Sequence, residues 1–103
     1  MINKFIYKFI NKLRLLYEAE SIKSYKNLCT TKKDTIIHPS ARINNFSKDK
    51  TKIIIGNKTV IDGELLVFNY GGEIIIGDNT YIGEHSRIWS GDSIKIGNNV
   101  LIS

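Results

Sequence analysis

The 103 residues include 42% hydrophobic and 24% charged residues, a balance typical of one small globular domain and not of a disordered chain. The formal net charge of +5 is uneven: residues 1–52 hold twelve Lys and Arg against four Asp and Glu, whereas residues 53–103 hold three against six. We expect no nucleic-acid partner, because the half that carries a repeated pattern lacks the basic residues such a partner requires.

The chain contains one cysteine, Cys29. It cannot form an internal disulfide, and we expect a reducing, cytoplasmic location. We interpret Cys29 as a small linker residue and not as a nucleophile, because no catalytic motif surrounds it. No apolar run has the length of a membrane-spanning helix. The N-terminus also lacks a signal-peptide core, since Lys4, Lys8 and Lys12 interrupt its apolar residues.

Residues 2–17 have the periodicity of an amphipathic α-helix. Apolar side chains recur at three- and four-residue steps, at Ile2, Phe5, Ile6, Phe9, Ile10, Leu13, Leu16 and Tyr17. Lys4, Lys8 and Lys12 lie one turn apart, away from this stripe. Such a helix can rest on an anionic membrane surface, which predicts a peripheral contact with the inner face of the membrane. The favoured interpretation is that the stripe packs on its own domain or on a neighbouring subunit.

Residues 18–34 are polar and weakly patterned, which indicates a helix tail and a linker. From Ile37 onward, short bursts of strand-forming residues end in Gly, Asn or Asp. The segment IIIGN at 53–57 returns as IIIGD at 74–78 and as IKIGN at 94–98. Aligning these echoes puts the unit starts, in steps of 18, 21 and 20 residues, at Ile37, Ile55, Ile76 and Ile96. A fixed period of this length indicates stacked, equivalent units.

Each unit consists of hexads that begin with an aliphatic residue and continue with Gly or a small polar residue. A compact side chain usually occupies the fifth place, at Ala41, Thr59, Thr80, Ser86 and Val100. Three hexads make one coil, in which the opening Ile points inward and the compact residue fits a corner. We expect the second-place glycines to supply backbone angles that other residues disfavour, at Gly56, Gly77, Gly83 and Gly97. Extra residues fall on the third side, within 68–73 and 88–93.

The hexads predict an all-β solenoid over residues 35–103, preceded by the helix and linker of residues 1–34. In these hexads the chain resembles the hexapeptide-repeat acyltransferases, which are left-handed parallel β-helices. The resemblance therefore implies a left-handed β-helix of about three coils and the start of a fourth. The segment IKIGNNVLIS, residues 94–103, is most similar to sugar O-acetyltransferases of the maltose, galactoside and polysaccharide-modifying kind.

The resemblance also implies an activity. Enzymes of that kind transfer an acetyl group from acetyl-CoA to a hydroxyl of a sugar or glycan precursor. They are homotrimers with active sites between neighbouring subunits, they need no metal, and a histidine acts as general base. The alternative is a non-catalytic β-helix fragment or an oligomerisation module, since a fold does not determine its chemistry.

The resemblance places the catalytic histidine beyond Ser103, so no residue of the chain is assigned as catalytic. We therefore expect these residues to be an N-terminal portion that is inactive alone. His85 is a weak substitute: it occupies the fourth place of a hexad and is interpreted as a solvated corner residue. His38, followed by Pro39, is interpreted as part of the turn that opens the first coil. Two histidines cannot supply a three-histidine zinc site.

The remaining candidates are contact residues. Asn69, Tyr70 and Trp89 fall in or beside the extra residues of the third side, where a sugar can stack on an aromatic ring. The favoured alternative for these residues is surface or trimer-interface packing. Glu84 and Arg87 are interpreted as a solvated corner and not as a binding pair.

Overall fold

The computed structural model describes Lys4, residues 6–13 and residues 25–103. Lys4 and residues 6–13 are helical, as the apolar periodicity predicts. The other residues of the predicted helix, and residues 18–24 of the predicted linker, lie outside the described residues. Within the described part of the chain, no helix is long and apolar enough to cross a membrane.

Residues 25–103 form a solenoid. The first coil contains β1 (Thr30–Thr31), β2 (Ile36–Ile37) and β3 (Arg42–Asn45). A short 3-10 helix, Lys50–Lys52, leads into the second coil, which contains β4 (Ile53–Ile55), β5 (Val60–Ile61) and β6 (Glu64–Val67). The third coil contains β7 (Ile74–Ile76), β8 (Tyr81–Ile82) and β9 (Arg87–Ser90). A fourth begins with β10 (Ile94–Ile96) and β11 (Leu101–Ile102).

Equivalent strands of successive coils pair in parallel and make three sheets, one for each side of a prism. The first side is β1-β4-β7-β10, the second is β2-β5-β8-β11 and the third is β3-β6-β9. This architecture is the left-handed parallel β-helix that the sequence predicts. Short strands suffice here because every coil provides a neighbour in register for the next one.

The core is a set of aliphatic columns along the prism axis. Ile55 lies beside Ile76, and Ile76 beside Ile96, in the parallel register of the first side. Ile61 and Ile82 make the equivalent column on the second side. The prediction that the first residue of each hexad points inward is confirmed by the fully buried side chains, among them Ile53, Ile55, Ile61, Leu65, Ile74 and Ile82. Each such burial stabilises the fold by about 1.5–3 kcal/mol.

The predicted fit of compact residues into corners is also confirmed. Ala41, Thr59 and Thr80 are buried. The Thr59 hydroxyl donates to the carbonyl of Gly77, at 2.6 Å, and also accepts from the backbone amide of Thr80, at 3.2 Å. Buried threonines therefore join one coil to the next, and each hydroxyl has its hydrogen bonds satisfied.

The predicted role of the glycines is wrong. The left-handed backbone angle falls on the fourth place of the hexad, at Lys58, Asn79, His85 and Asn99, with φ between 51° and 68°. Gly56 and Gly77 are needed for a different reason, namely the close approach of neighbouring coils. A Cβ on Gly77 would lie 2.7 Å from the carbonyl carbon of Gly97, and one on Gly56 would collide with the backbone of Gly77.

The predicted phase of the first coil is also wrong. Ile37 pairs with Ile61, on the second side, whereas the partner of Ile55 is Thr31. The first step is therefore 24 residues, from 31 to 55, because the residues after β3 include the 3-10 helix. The solenoid includes β1, which precedes residue 35.

Cys29 belongs to this first coil as well. It is buried in the core, with Tyr25 and Leu28 packed against the same cluster, so it is a core residue and not a linker residue. The Tyr25 hydroxyl donates to the carbonyl of Ala41, at 2.9 Å, and ties the segment before β1 to the first coil.

Candidate functional site

Asn69, Tyr70 and Trp89 lie on or beside the third side, as predicted, but in two groups. Asn69 and Tyr70 are exposed in the loop that follows β6. The Tyr70 ring stacks on Phe68 of the same loop, with centroids 5.5 Å apart. Trp89 lies instead on β9 and is half-exposed.

Trp89 is held by charged neighbours. Its indole Nε1 donates to Glu64 Oε1, at 2.5 Å, and the guanidinium carbon of Arg87 lies 5.9 Å from its ring centroid. Glu64 and Arg87 are register partners on β6 and β9. The arrangement fixes the indole plane while one part of the ring stays open to solvent, which suits a stacking contact.

An open polar groove of about 300 Å³ runs along the corner between the second and third sides. Its walls come from the same corner of three successive coils and include Ser40, Asp62, Glu64, Glu84, His85 and Arg87. Carboxylates and a guanidinium alternate there, so the groove offers both acceptors and donors. Such a lining suits a hydroxylated ligand better than a strongly charged one.

Asp62 is the most constrained group beside this groove. His38 Nδ1 lies 3.4 Å from Asp62 Oδ1, and the Tyr81 hydroxyl donates to Asp62 Oδ2, at 2.7 Å. The hydrogen bond to Asp62 raises the pKa of Tyr81. Asp62 Oδ1 is buried and accepts no hydrogen bond. Because an orphaned buried acceptor is costly, this oxygen needs a donor, and the Nδ1–H of His38 is the nearest one.

The pair of His38 and Asp62 has the layout of a base and its orienting carboxylate. A proton on Nδ1 directed at Asp62 leaves Nε2 as the basic nitrogen, and nearly half of the His38 side chain is exposed. Sequence analysis missed this pair because it aligned Ile37 with Ile55. Once β2 is paired with β5, the residues after Ile37 and Ile61 occupy the same place on successive coils.

The other residues singled out from the sequence lie at the corners. His85 is exposed in a left-handed corner with φ 68°, as the interpretation of a solvated corner predicts. Glu84 and Arg87 are also exposed and line the groove. His38 does take part in a turn, since Ala41 N donates to His38 O, at 2.9 Å, but this turn joins the second and third sides and does not open the coil.

Cys29 has the chemistry of a core thiol. Burial raises its pKa to about 11, so it remains protonated and unreactive near neutral pH. Among the described residues, no group of three or more His, Cys, Asp or Glu side chains is arranged to hold a metal ion.

The fold and this site define a class: a left-handed β-solenoid with an open polar groove along one corner. Comparisons with protein-family models, with curated proteins and with solved structures found no match to the chain.

Proposed function

We propose that the protein is an acetyl-CoA-dependent O-acetyltransferase that acts on a hydroxyl of a sugar or glycan precursor in polysaccharide biosynthesis. The observation that carries the proposal is the row of phased hexads that builds the left-handed β-helix, because the resemblance to sugar O-acetyltransferases rests on the same hexads. The proposal includes a homotrimer in the cytoplasm, with acetyl-CoA as co-substrate.

The corner groove supports a sugar as the acceptor. Sugar hydroxyls both donate and accept hydrogen bonds, and the groove offers Asp62 and Glu64 as acceptors and Arg87 as a donor. Trp89 adds a half-exposed aromatic ring next to Glu64 and Arg87, on which the apolar face of a pyranose can stack. Asn69 and Tyr70 have no such charged neighbours among their contacts and are weaker candidates for this role.

Acetyl transfer requires a base for the acceptor hydroxyl. The base takes the hydroxyl proton while the oxygen attacks the thioester carbonyl of acetyl-CoA, and the coenzyme A thiolate then leaves. His38 is better placed for this step than His85, because Asp62 orients its Nδ1 side. The resemblance implies a further histidine after Ser103, and substitution separates these candidates.

The test is acetyl transfer by the protein at the length that its gene encodes. Thiol release from acetyl-CoA is followed with a panel of sugars, and mass spectrometry identifies the acetylated product. Transfer to a sugar supports the proposal, whereas a trimer that transfers to none of them identifies the non-catalytic alternative. His38→Gln should then lower kcat with little effect on the melting temperature, and His85→Gln serves as the matched control. If both variants keep full activity, the base lies elsewhere and the proposed function stands.

A further inference from the structure

The helical segment presents an apolar face that the solenoid does not cover. Ile6, Phe9, Ile10 and Leu13 are between 49% and 57% exposed, although their spacing puts them on one face of the helix. Tyr7, beside them, is 66% exposed. Clusters of large apolar side chains at a protein surface indicate an interaction site.

The core of the solenoid does not include this face. The buried cluster and the residues packed against it come from the segment that begins at Tyr25. Packing on the protein's own domain, one of the two contacts expected from the sequence, is therefore not what residues 6–13 do in the described part of the chain. The occupant of this apolar face has to come from outside the solenoid.

The charge of the segment identifies the kind of occupant. Lys4, Lys8 and Lys12 recur every four residues, on the side of the helix opposite to the apolar face, and all three are exposed. The first 17 residues contain these lysines and Arg14 but no Asp or Glu. A second copy of the segment would bring like charges together, whereas an anionic surface complements them.

We propose that this helix lies in the plane of an anionic lipid surface, with Ile6, Phe9, Ile10 and Leu13 in the acyl boundary and the lysines among the headgroups. An apolar face of Phe, Leu and Ile opposite a Lys-rich face is the composition of helices that bind membranes in this way. The contact holds the solenoid at the membrane and does not depend on acetyl transfer.

The probe is a set of phospholipid vesicles, either of phosphatidylcholine alone or with one third phosphatidylglycerol. The full chain should sediment with the anionic vesicles at low salt and should be released as salt shortens the range of the attraction. Each lysine near such a surface contributes about fivefold in affinity, so replacing Lys4, Lys8 and Lys12 by Gln should weaken binding roughly a hundredfold. Phe9→Asn with Leu13→Asn should also release the protein.

The matched control removes three exposed lysines from the solenoid, as Lys32→Gln, Lys33→Gln and Lys52→Gln. This control should keep most of the binding, and circular dichroism should show the parent β signal in every variant. Equal loss in the control, or equal binding to neutral and anionic vesicles, overturns the proposal. Failure to bind anionic vesicles at low salt also overturns it. Self-association that is lost in the Phe9 and Leu13 variant then identifies a second copy as the occupant.

Discussion

The helical segment and the solenoid use the same large aliphatic residues with opposite outcomes. Ile10 of the helix is 56% exposed, whereas Ile61 of β5 is fully buried. The difference lies in the source of the partner. Each inward Ile of the solenoid has an equivalent Ile in register on the next coil, as Ile55 has Ile76. A helical period provides one apolar face but no second surface to cover it. A repeat therefore supplies its own core, and an isolated amphipathic helix does not.

The largest expected effect is in the solenoid column. Ile76→Asp should destabilise the fold by about 4 kcal/mol or more, because it removes a buried aliphatic side chain and introduces an unpaired charge. Lys58→Asp is the control, since Lys58 is exposed and Asp tolerates its left-handed backbone. Thermal unfolding followed by circular dichroism measures both. Equal melting temperatures would contradict the column assignment.

The close approach of the coils can be tested with two equivalent glycines. Gly77→Ala should cost about 1–3 kcal/mol, because the added Cβ overpacks against the backbone of Gly97. Gly97→Ala should cost far less, since a Cβ there meets nothing within 4 Å. Urea unfolding of the two variants gives the difference. If the two substitutions cost the same, second-place glycines are needed for their backbone angle and not for space.

Cys29 tests the junction between the two regions through pH. Its folded pKa of about 11 is above the unfolded value of 9.0. The stability contributed by the neutral buried thiol is therefore complete below pH 9 and is lost as the pH rises through 11. The expected loss is about 2 kcal/mol. Urea unfolding across this range should show a steeper decline for the parent than for Cys29→Ala, in which Tyr81 still titrates. Parallel declines would place Cys29 outside the core.

The smallest expected effect is on the helix. Ile10→Ala should change the free energy of unfolding by less than about 0.5 kcal/mol, because its side chain is already exposed. Ile61→Ala, the matched change in the solenoid, should cost about 2–5 kcal/mol. Both values come from the same urea unfolding experiment. A large cost at Ile10 would show that the helix packs on the solenoid in solution.

Prediction from the sequence succeeded where the pattern was local and repeated. IIIGN, IIIGD and IKIGN differ by one or two letters, and their isoleucines lie in register on β4, β7 and β10. The first coil lacks this signal because Thr30 and Thr31 stand where the later coils have isoleucine. With no echo to follow, the alignment used Ile37, and the error concealed the pairing of His38 with Asp62.

By itself, the sequence determined the hexad period, the inward columns and the corner positions of Ala41, Thr59 and Thr80, because strand alternation and side-chain size act over a few residues. Only the tertiary structure decided the phase of the first coil, the contact of His38 with Asp62 and the exposure of the helical face. These features depend on which coil lies above which, or on whether anything covers a surface. The chain can encode Gly77 without revealing its reason, since the carbonyl that excludes a Cβ there belongs to the next coil, twenty residues later.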